Sequence, residues 1–339
     1  MRIAVDAMGG DHAPAAVVEG AALAADALYS TGDAPHAQLC LVGDPQAIEA
    51  ELRRHRVADG FIAIEPASQV VGMHEAPTRA LRKKRQSSLA VAVDLVAAGE
   101  ADAVVSAGNT GAFMAMASTK LKLMPGIERA AIAALLPSAG GRAVLVDAGA
   151  SVDCKPKMLA QFGLMGNAYA QRVLGLESPR VGLLNIGEEA VKGSETVKAA
   201  HELLQGSDLN FIGNVEANYI FSGGADVVVC DGFVGNVALK AAEGVCSLMV
   251  DRLQRAFRAS LRTRLAAFLG RPALAGLGKM ADYAEYGGAL LVGVNGICII
   301  GHGRSAPKAF MNAIDLARRS VETEVLTHIG RSHAALADA

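Results

Sequence analysis

The chain has 339 residues, 52% hydrophobic and 19% charged. That length allows one or two domain-sized units with a sizeable core, and the composition excludes intrinsic disorder and charged tails. With 32 basic and 34 acidic residues the net charge is −2, and aromatics reach only 4% with no Trp. No nucleic-acid partner is expected, because neither bulk positive charge nor base-stacking platforms are present.

In chain order, strands are expected at 2–8, 38–43, 101–106, 130–136, 142–148, 180–186, 210–214, 225–231 and 296–301. Between them, amphipathic stretches at 14–29, 45–55, 88–98, 110–121, 156–173, 194–204, 234–269 and 305–328 read as helices. Most strand runs are continuously apolar, as expected when helices cover both faces of a parallel sheet. The alternation implies βαβ units and an α/β fold. No repeat or long linker divides the chain, so any second lobe grows out of the same sheet.

The five cysteines, Cys40, Cys154, Cys230, Cys246 and Cys298, form no CxxC pair and sit among apolar or small residues. They read as reduced thiols of a cytosolic protein. No HExxH or Cys/His spacing suits a metal, no GxGxxG follows the first strand, and no GxSxG elbow occurs. No metal or other cofactor is expected. An N-terminal leader and a run of about 18 apolar residues are both missing from the reading, so no membrane span is expected.

The strand ends carry the polar residues. The first strand runs into Asp6, Gly9 and Gly10. The 101–106 strand leads to Ser106, Gly108, Asn109, Thr110 and Gly111. The 180–186 strand leads through Asn185 to Glu188 and Lys192, the 225–231 strand to Asp231 and Asn236, and the 296–301 strand to His302. In open parallel sheets the ligand crevice lies beyond the strands' carboxyl ends, so five such loops suggest one shared site. Ordinary turn and cap chemistry is the alternative for each loop alone. The SAGNTG loop at 106–111 opens a helix, whose first N–H groups and positive dipole end suit an anion. No covalent nucleophile stands out, which favours direct attack of one substrate on another.

Two basic clusters interrupt the neutral average. Residues 79–85 read RALRKKR, so that Arg79, Arg82, Lys83, Lys84 and Arg85 form either a dock for an anionic partner or a solvated helix face. Over 252–271 there are six arginines and no acid, beside an apolar stripe of Leu253, Phe257, Leu261, Leu265, Phe268 and Leu269. That stripe reads as an interfacial helix or as a core or dimer-packing helix.

Several long motifs resemble one family. MGGDHAP at 8–14, RKKRQSS at 82–88, SAGNTGA at 106–112, PRVGLLNIGEE at 179–189, KGSE at 192–195, GNVE at 213–216, DVVVCDGFVGNVALKAAEG at 226–244, YGGALLVGVNG at 286–296 and HGRS at 302–305 are similar to the bacterial phosphate acyltransferases of phospholipid synthesis. Ala130 and Ser151 stand where that pattern usually has Pro and Asn. The resemblance implies a three-layer α/β/α fold with a mostly parallel, Rossmann-like sheet, akin to isocitrate dehydrogenases and phosphotransacetylases. It implies a reaction between acyl carrier protein thioester and inorganic phosphate that yields acyl phosphate. It also implies a homodimer, cytoplasmic and peripherally associated with an anionic membrane surface.

Within that frame Lys192 is expected to stabilise the thioester oxyanion, with His302 and Asn109 as helpers. The remaining strand-end residues named above are expected to hold phosphate or acyl phosphate. The 79–85 cluster is expected to dock the acidic carrier protein, and Leu253, Phe257, Leu261, Leu265 and Phe268 to touch the membrane. The whole of 1–339 is expected to be one α/β/α unit with a protruding helical hairpin at about 240–285. Three rivals remain at this level: a phosphotransacetylase acting on acyl-CoA, a dehydrogenase of the isocitrate type, and a non-catalytic membrane-docking module.

Overall fold

The computed structural model describes residues 1–30, 38–57, 60–270, 276 and 283–337. In chain order the elements are β1 (Arg2–Asp6), α1 (Ala15–Ser30), β2 (Gln38–Gly43), α2 (Pro45–Leu52), β3 (Ile62–Pro66), α3 (Pro77–Lys83), α4 (Ser88–Ala97), β4 (Ala103–Ser106), α5 (Thr110–Lys120), β5 (Ala131–Ser138) and β6 (Gly141–Val146). They continue with α6 (Pro156–Leu174), β7 (Val181–Leu184), α7 (Glu195–Gln205), β8 (Phe211–Val215), α8 (Tyr219–Ser222), β9 (Val227–Val229), α9 (Gly232–Arg258) and α10 (Leu261–Leu269). A 3-10 turn at Tyr283–Glu285, β10 (Ala289–Val292), β11 (Ile297–Ile300), α11 (Pro307–Glu322) and α12 (Val325–Ala337) complete the chain.

All strands join one eleven-stranded sheet in the order β3-β2-β1-β4-β11-β10-β5-β6-β9-β7-β8. Successive strand residues point to opposite faces, and here both faces are apolar. Ile3 and Val5 enter one buried layer with residues of α1, α6, α11 and α12. Ala4 enters the other, with residues of α4 and α5. The three-layer α/β/α architecture expected from the motifs is thus present, and most strand pairs are parallel.

The middle of the sheet is not parallel. β10 is antiparallel to both β11 and β5, and β5 is antiparallel to β6. The βαβ reading missed this because β5 and β6 are joined by a tight turn, and a hairpin needs no crossover helix. As a result β6, β9, β7 and β8 run opposite to β1, β2, β3, β4 and β11. The five loops named from the sequence therefore leave strands of opposite direction. Those after β1, β4 and β11 open on one edge of the sheet, and those after β7 and β9 open on the other.

Other departures have local causes. β3 escaped sequence reading because it is a half-buried edge strand ending Glu65-Pro66, and proline is confined to such edges. The short β10 lies between glycines, which hid its periodicity. The expected helix over 234–269 breaks at Ala259–Ser260, where Ser260 and Thr263 form a capping box for α10. The expected helix over 305–328 breaks where Glu324 adopts φ 51°, a left-handed conformation that ends a helix. The cysteines are unpaired, with Cys40, Cys230 and Cys298 buried.

One close approach ties the two ends of the chain together. α1 crosses α11 at Gly20, where an added Cβ would meet Phe310 Cβ and lie 2.5 Å from the Pro307 carbonyl oxygen. Overpacking of this kind typically costs about 1–3 kcal/mol. Gly20→Ala is expected to lower the urea midpoint with an unchanged denaturant slope, and an unaltered midpoint would show that the helices separate freely.

Candidate functional site

At the first edge, three glycine loops interlock. Asp11 N–H donates to Gly303 O at 2.7 Å, tying the loop after β1 to that after β11. Gly301 N–H donates to Ser106 O at 2.8 Å, tying the end of β11 to that of β4. Gly9 is buried so tightly that an added Cβ would strike the Asp6 carboxylate and come within 2.9 Å of Gly108 N. Gly10 has φ 113°, a conformation that favours glycine, and lets the loop pass against Gly303 O.

Asp6 lies beneath these loops rather than on their surface. It is 2% exposed and accepts the Ser106 hydroxyl at 2.7 Å, and Ser106 Oγ in turn accepts Gly108 N–H at 3.1 Å. Burial pushes the Asp6 carboxyl above the usual carboxylate range, against the opposing pull of its hydrogen bonds from Ser88 and Ser106. Asp6 and Ser106 thus hold the loop's shape from within. Both side chains are reached from inside the loop rather than from its outer surface.

Asn109 is also turned inward. Its Oδ1 caps α5 by accepting Ala112 N–H at 2.9 Å. Its Nδ2 donates to the carbonyls of Gly72, Met73 and Glu75 at 3.2, 2.9 and 2.8 Å. An amide so occupied positions the loop. Thr110 is exposed and Gly111 half-buried at the first turn of α5, where helix N–H groups face outward. The same bonds bring the basic helix α3 to the site, with Pro77 packed against Gly111. Arg79, Arg82, Lys83 and Arg85 are exposed there and Lys84 is half-buried.

His302 is half-buried at the end of β11. Its Nδ1 accepts Arg304 N–H at 3.2 Å and its Nε2 lies 3.3 Å from Lys240 Nζ. Burial, and then the Lys240 charge, hold its imidazole below the ordinary histidine range. Lys240 belongs to α9, which starts at the opposite edge and crosses to reach this loop. Sequence reading passed over Lys240, although it stands within the quoted run ALKAAEG. It also passed over Ser305, whose buried hydroxyl has no protein hydrogen-bond partner and precedes the uncapped N-terminus of α11.

The second edge gathers the other residues. Asn185 Nδ2 donates to Lys192 O at 3.0 Å, and Glu188 accepts the Tyr219 hydroxyl at 2.6 Å. Lys192 is exposed and lies 4.0 Å from Glu189. Asp231 caps α9 through Val234 N–H at 2.9 Å, and Asn236 packs on Gly149. Beside them Asp147, fully buried, accepts N–H groups from Ile132, Gly149, Ala150 and Ser151 at 2.7–3.0 Å. Ser151 joins this net through its backbone, which also accepts Gly232 N–H at 2.7 Å. Its side-chain identity therefore matters little to the turn. β7 lies five places from β11 in the sheet, roughly 24 Å at about 4.8 Å per strand. α9 nevertheless joins the two sets of loops, since Asn236 stands one helical turn before Lys240, the partner of His302.

Residues 1–328 match the family described as fatty acid synthesis protein. The chain is 49% identical over 332 residues to the phosphate acyltransferase of Pelotomaculum thermopropionicum, covering 98% of this chain and 95% of that protein. It is 50% identical over 330 residues to that of Moorella thermoacetica, covering 97% and 95%. The chain belongs to the phosphate acyltransferase family. The enzyme is therefore an acyltransferase of fatty acid and lipid synthesis. Its fold is shared with a phosphotransacetylase from Streptococcus pyogenes, at TM-score 0.63 and 17% identity over 95% of this chain and 94% of that one. A branched-chain phosphotransacylase from Enterococcus faecalis has TM-score 0.55 and 14% identity over 95% and 99%.

The interlocked glycines give a test. In Gly9→Ala the new methyl group must push the loop after β1 from the loop after β4. Misplacements of about 1 Å cost on the order of 10²-fold in rate. The variant is expected to stay folded and lose transferase kcat/KM by about that factor. Unchanged kinetics would place the chemistry away from this edge.

Proposed function

We propose that the enzyme transfers a fatty acyl group from the thioester of acyl carrier protein to inorganic phosphate, releasing acyl phosphate for phospholipid synthesis. A phosphate oxygen attacks the carbonyl carbon, the C–S bond breaks, and the carrier's thiolate departs. The observation that supports this most is the clasp of three glycine loops at the ends of β1, β4 and β11, with the first turn of α5, His302 and Lys240 beside it. Such a cradle suits an anion. Phosphate itself is the nucleophile in this reading. Ser106 is buried and donates to Asp6, and burial pushes the Cys154 thiol up to about 11.

The carrier is proposed to dock on the exposed basic face of α3, which abuts the clasp through Asn109. Steering by such charges weakens with salt. Lys192, Asn185, Glu188, Asp231 and Asn236 are proposed to meet the substrate from the second edge, with Lys192 offsetting oxyanion charge. Removal of one such donor typically costs about 10²–10³ in rate.

The test mixes enzyme, phosphate and thioesters of either acyl carrier protein or coenzyme A, and measures acyl phosphate and free thiol. Phosphate-dependent release is expected, faster from the carrier thioester, with the carrier KM rising with salt. Release from the coenzyme A thioester alone would make the enzyme a phosphotransacetylase. Lys192→Ala is expected to fold and lose most turnover, and wild-type turnover would confine the site to the first edge.

Peripheral association with anionic membrane is also proposed, for an enzyme otherwise cytoplasmic and homodimeric. Large apolar side chains stand exposed, among them Ile186 and Val191 at 78% and 77%, and surfaces of this kind ordinarily find a cover. The expected contact stripe is not continuous. Leu253 and Phe257 lie on α9, and Leu261, Leu265 and Phe268 on α10. All are exposed except the half-buried Phe257. α10 buries none of its residues. The rest of the expected hairpin, with Arg271, falls partly outside the described residues.

Against the expectation of no apolar run, α9, of 27 residues, holds an 18-residue stretch of mean hydropathy 1.4, long and apolar enough to cross a membrane by length and composition. Its first turn, however, is locked into the sheet by Gly232 and Gly235, and Glu243, Asp251, Arg252, Arg255 and Arg258 follow. A surface contact fits these constraints better than a span. Phe257→Glu with Leu261→Glu is expected to leave an active dimer that no longer sediments with anionic vesicles. A monomer or aggregate would assign these residues to protein packing.

A further inference from the structure

α9 links the two edges of the sheet. It begins beside Asp147 at the second edge, and Lys240 stands eight residues beyond Gly232, roughly 12 Å along the helix. There its ammonium meets His302 at 3.3 Å and Glu243 at 2.8 Å. The other nitrogen of His302 faces Arg304 N–H at 3.2 Å. Both ring nitrogens thus confront donors, so that the neutral ring accepts from one and turns its single N–H toward the other. An imidazolium, which carries N–H on each nitrogen, would set one against the Arg304 N–H and the other against the Lys240 ammonium.

We propose that Lys240 is a positioning residue for acyl transfer, keeping His302 neutral and setting a positive charge beside it to receive the phosphate. This rests on the reading of the first-edge loops as the phosphate site. A phosphate dianion placed between the two side chains accepts from both. It also reverses the local charge, so that His302 takes up a proton as phosphate binds. Among the described residues, the charged groups that face His302 include Lys240 and Glu243 from α9, Asp11 from the loop after β1, and Arg304 from its own loop. Lys240 and Arg304 disfavour its protonation, whereas Glu243 and Asp11 favour it. Ser305, with its buried hydroxyl, lies three residues on in the same loop.

The sign of the effect follows. Removing the Lys240 charge takes away a repulsion, so the His302 titration midpoint rises. The experiment follows the imidazole signals of the full-length enzyme by NMR against pH, with His302→Asn giving the assignment. In wild type, His302 is expected to titrate below an ordinary histidine. In Lys240→Met the midpoint is expected to move up, and in Lys240→Arg to stay. Adding inorganic phosphate is expected to raise it in wild type and less so in Lys240→Met.

In the thioester assay, Lys240→Met is expected to lose about 10²-fold in kcat/KM for phosphate. Its acid limb is expected to move with the NMR midpoint, and Lys240→Arg to recover most of the rate. Lys240 is half exposed, so these variants should fold, and Lys240→Gln serves if Lys240→Met does not. An unmoved midpoint in the charge-removed protein overturns the proposal, as does a wild-type rate with an unmoved acid limb. A wild-type enzyme with no phosphate-dependent thioester cleavage overturns the reading of function, and the NMR comparison then still judges the Lys240–His302 pair.

Discussion

Three antiparallel pairings, β11 with β10, β10 with β5 and β5 with β6, reverse the sheet at its centre, and the placing of every polar loop depends on that reversal. Hydrogen bonding makes it unavoidable: once β5 turns tightly into β6, everything that pairs parallel to β6 must point the other way. Strand ends that look equivalent in the sequence then open on opposite edges. α9, anchored beside Asp147 by its first turn, reaches His302 with Lys240 about two turns later.

Each edge is organised around one buried carboxylate. Asp6 holds Ser106 and through it Gly108, while Asp147 gathers three backbone N–H groups of its own turn and that of Ile132 on β5. Desolvation opposes ionisation of both groups, and the hydrogen bonds offset it. Such groups are expensive to bury and impose a unique loop shape when satisfied. Both lie directly after a strand, so each loop is referenced to the rigid sheet rather than to solvent-exposed turns. Glycines at Gly9 and Gly235 let backbone come close enough for this, because Cβ atoms there would collide with Asp6 and Asp147.

The outward side of the molecule follows a different logic. α9 and α10 bury almost nothing, and their arginines and large apolar side chains share the surface. Their stability within the chain comes from helix propensity, from the cap at Ser260 and from the anchored first turn of α9. A helix pair held this way is free to bury its apolar side chains against something else, as the proposed lipid surface would provide.

The sequence alone determined the layer class, because continuous apolar strands between amphipathic helices have few other ways to bury both faces. It also determined the family, since long ordered motifs such as SAGNTGA at 106–112 and YGGALLVGVNG at 286–296 are carried in the residues themselves. Caps such as Asn109 and Asp231 were legible as residue types that start helices. What the residues did not show was direction and reach. The five residues between 136 and 142 are too few for a parallel crossover, so the hairpin was legible there, whereas the strands that pair on either side of it were not. Asn109 and Asp6 read as ligand groups because polarity after a strand is visible, whereas the carbonyls and hydroxyls that occupy them come from residues far away in the chain. Lys240 was overlooked for the converse reason. It sits inside a helix with no strand end beside it, and only the tertiary course of α9 brings it to a histidine 62 residues later in the chain. Pairings at that separation are set by which strands share hydrogen bonds, and that is decided by the sheet as a whole.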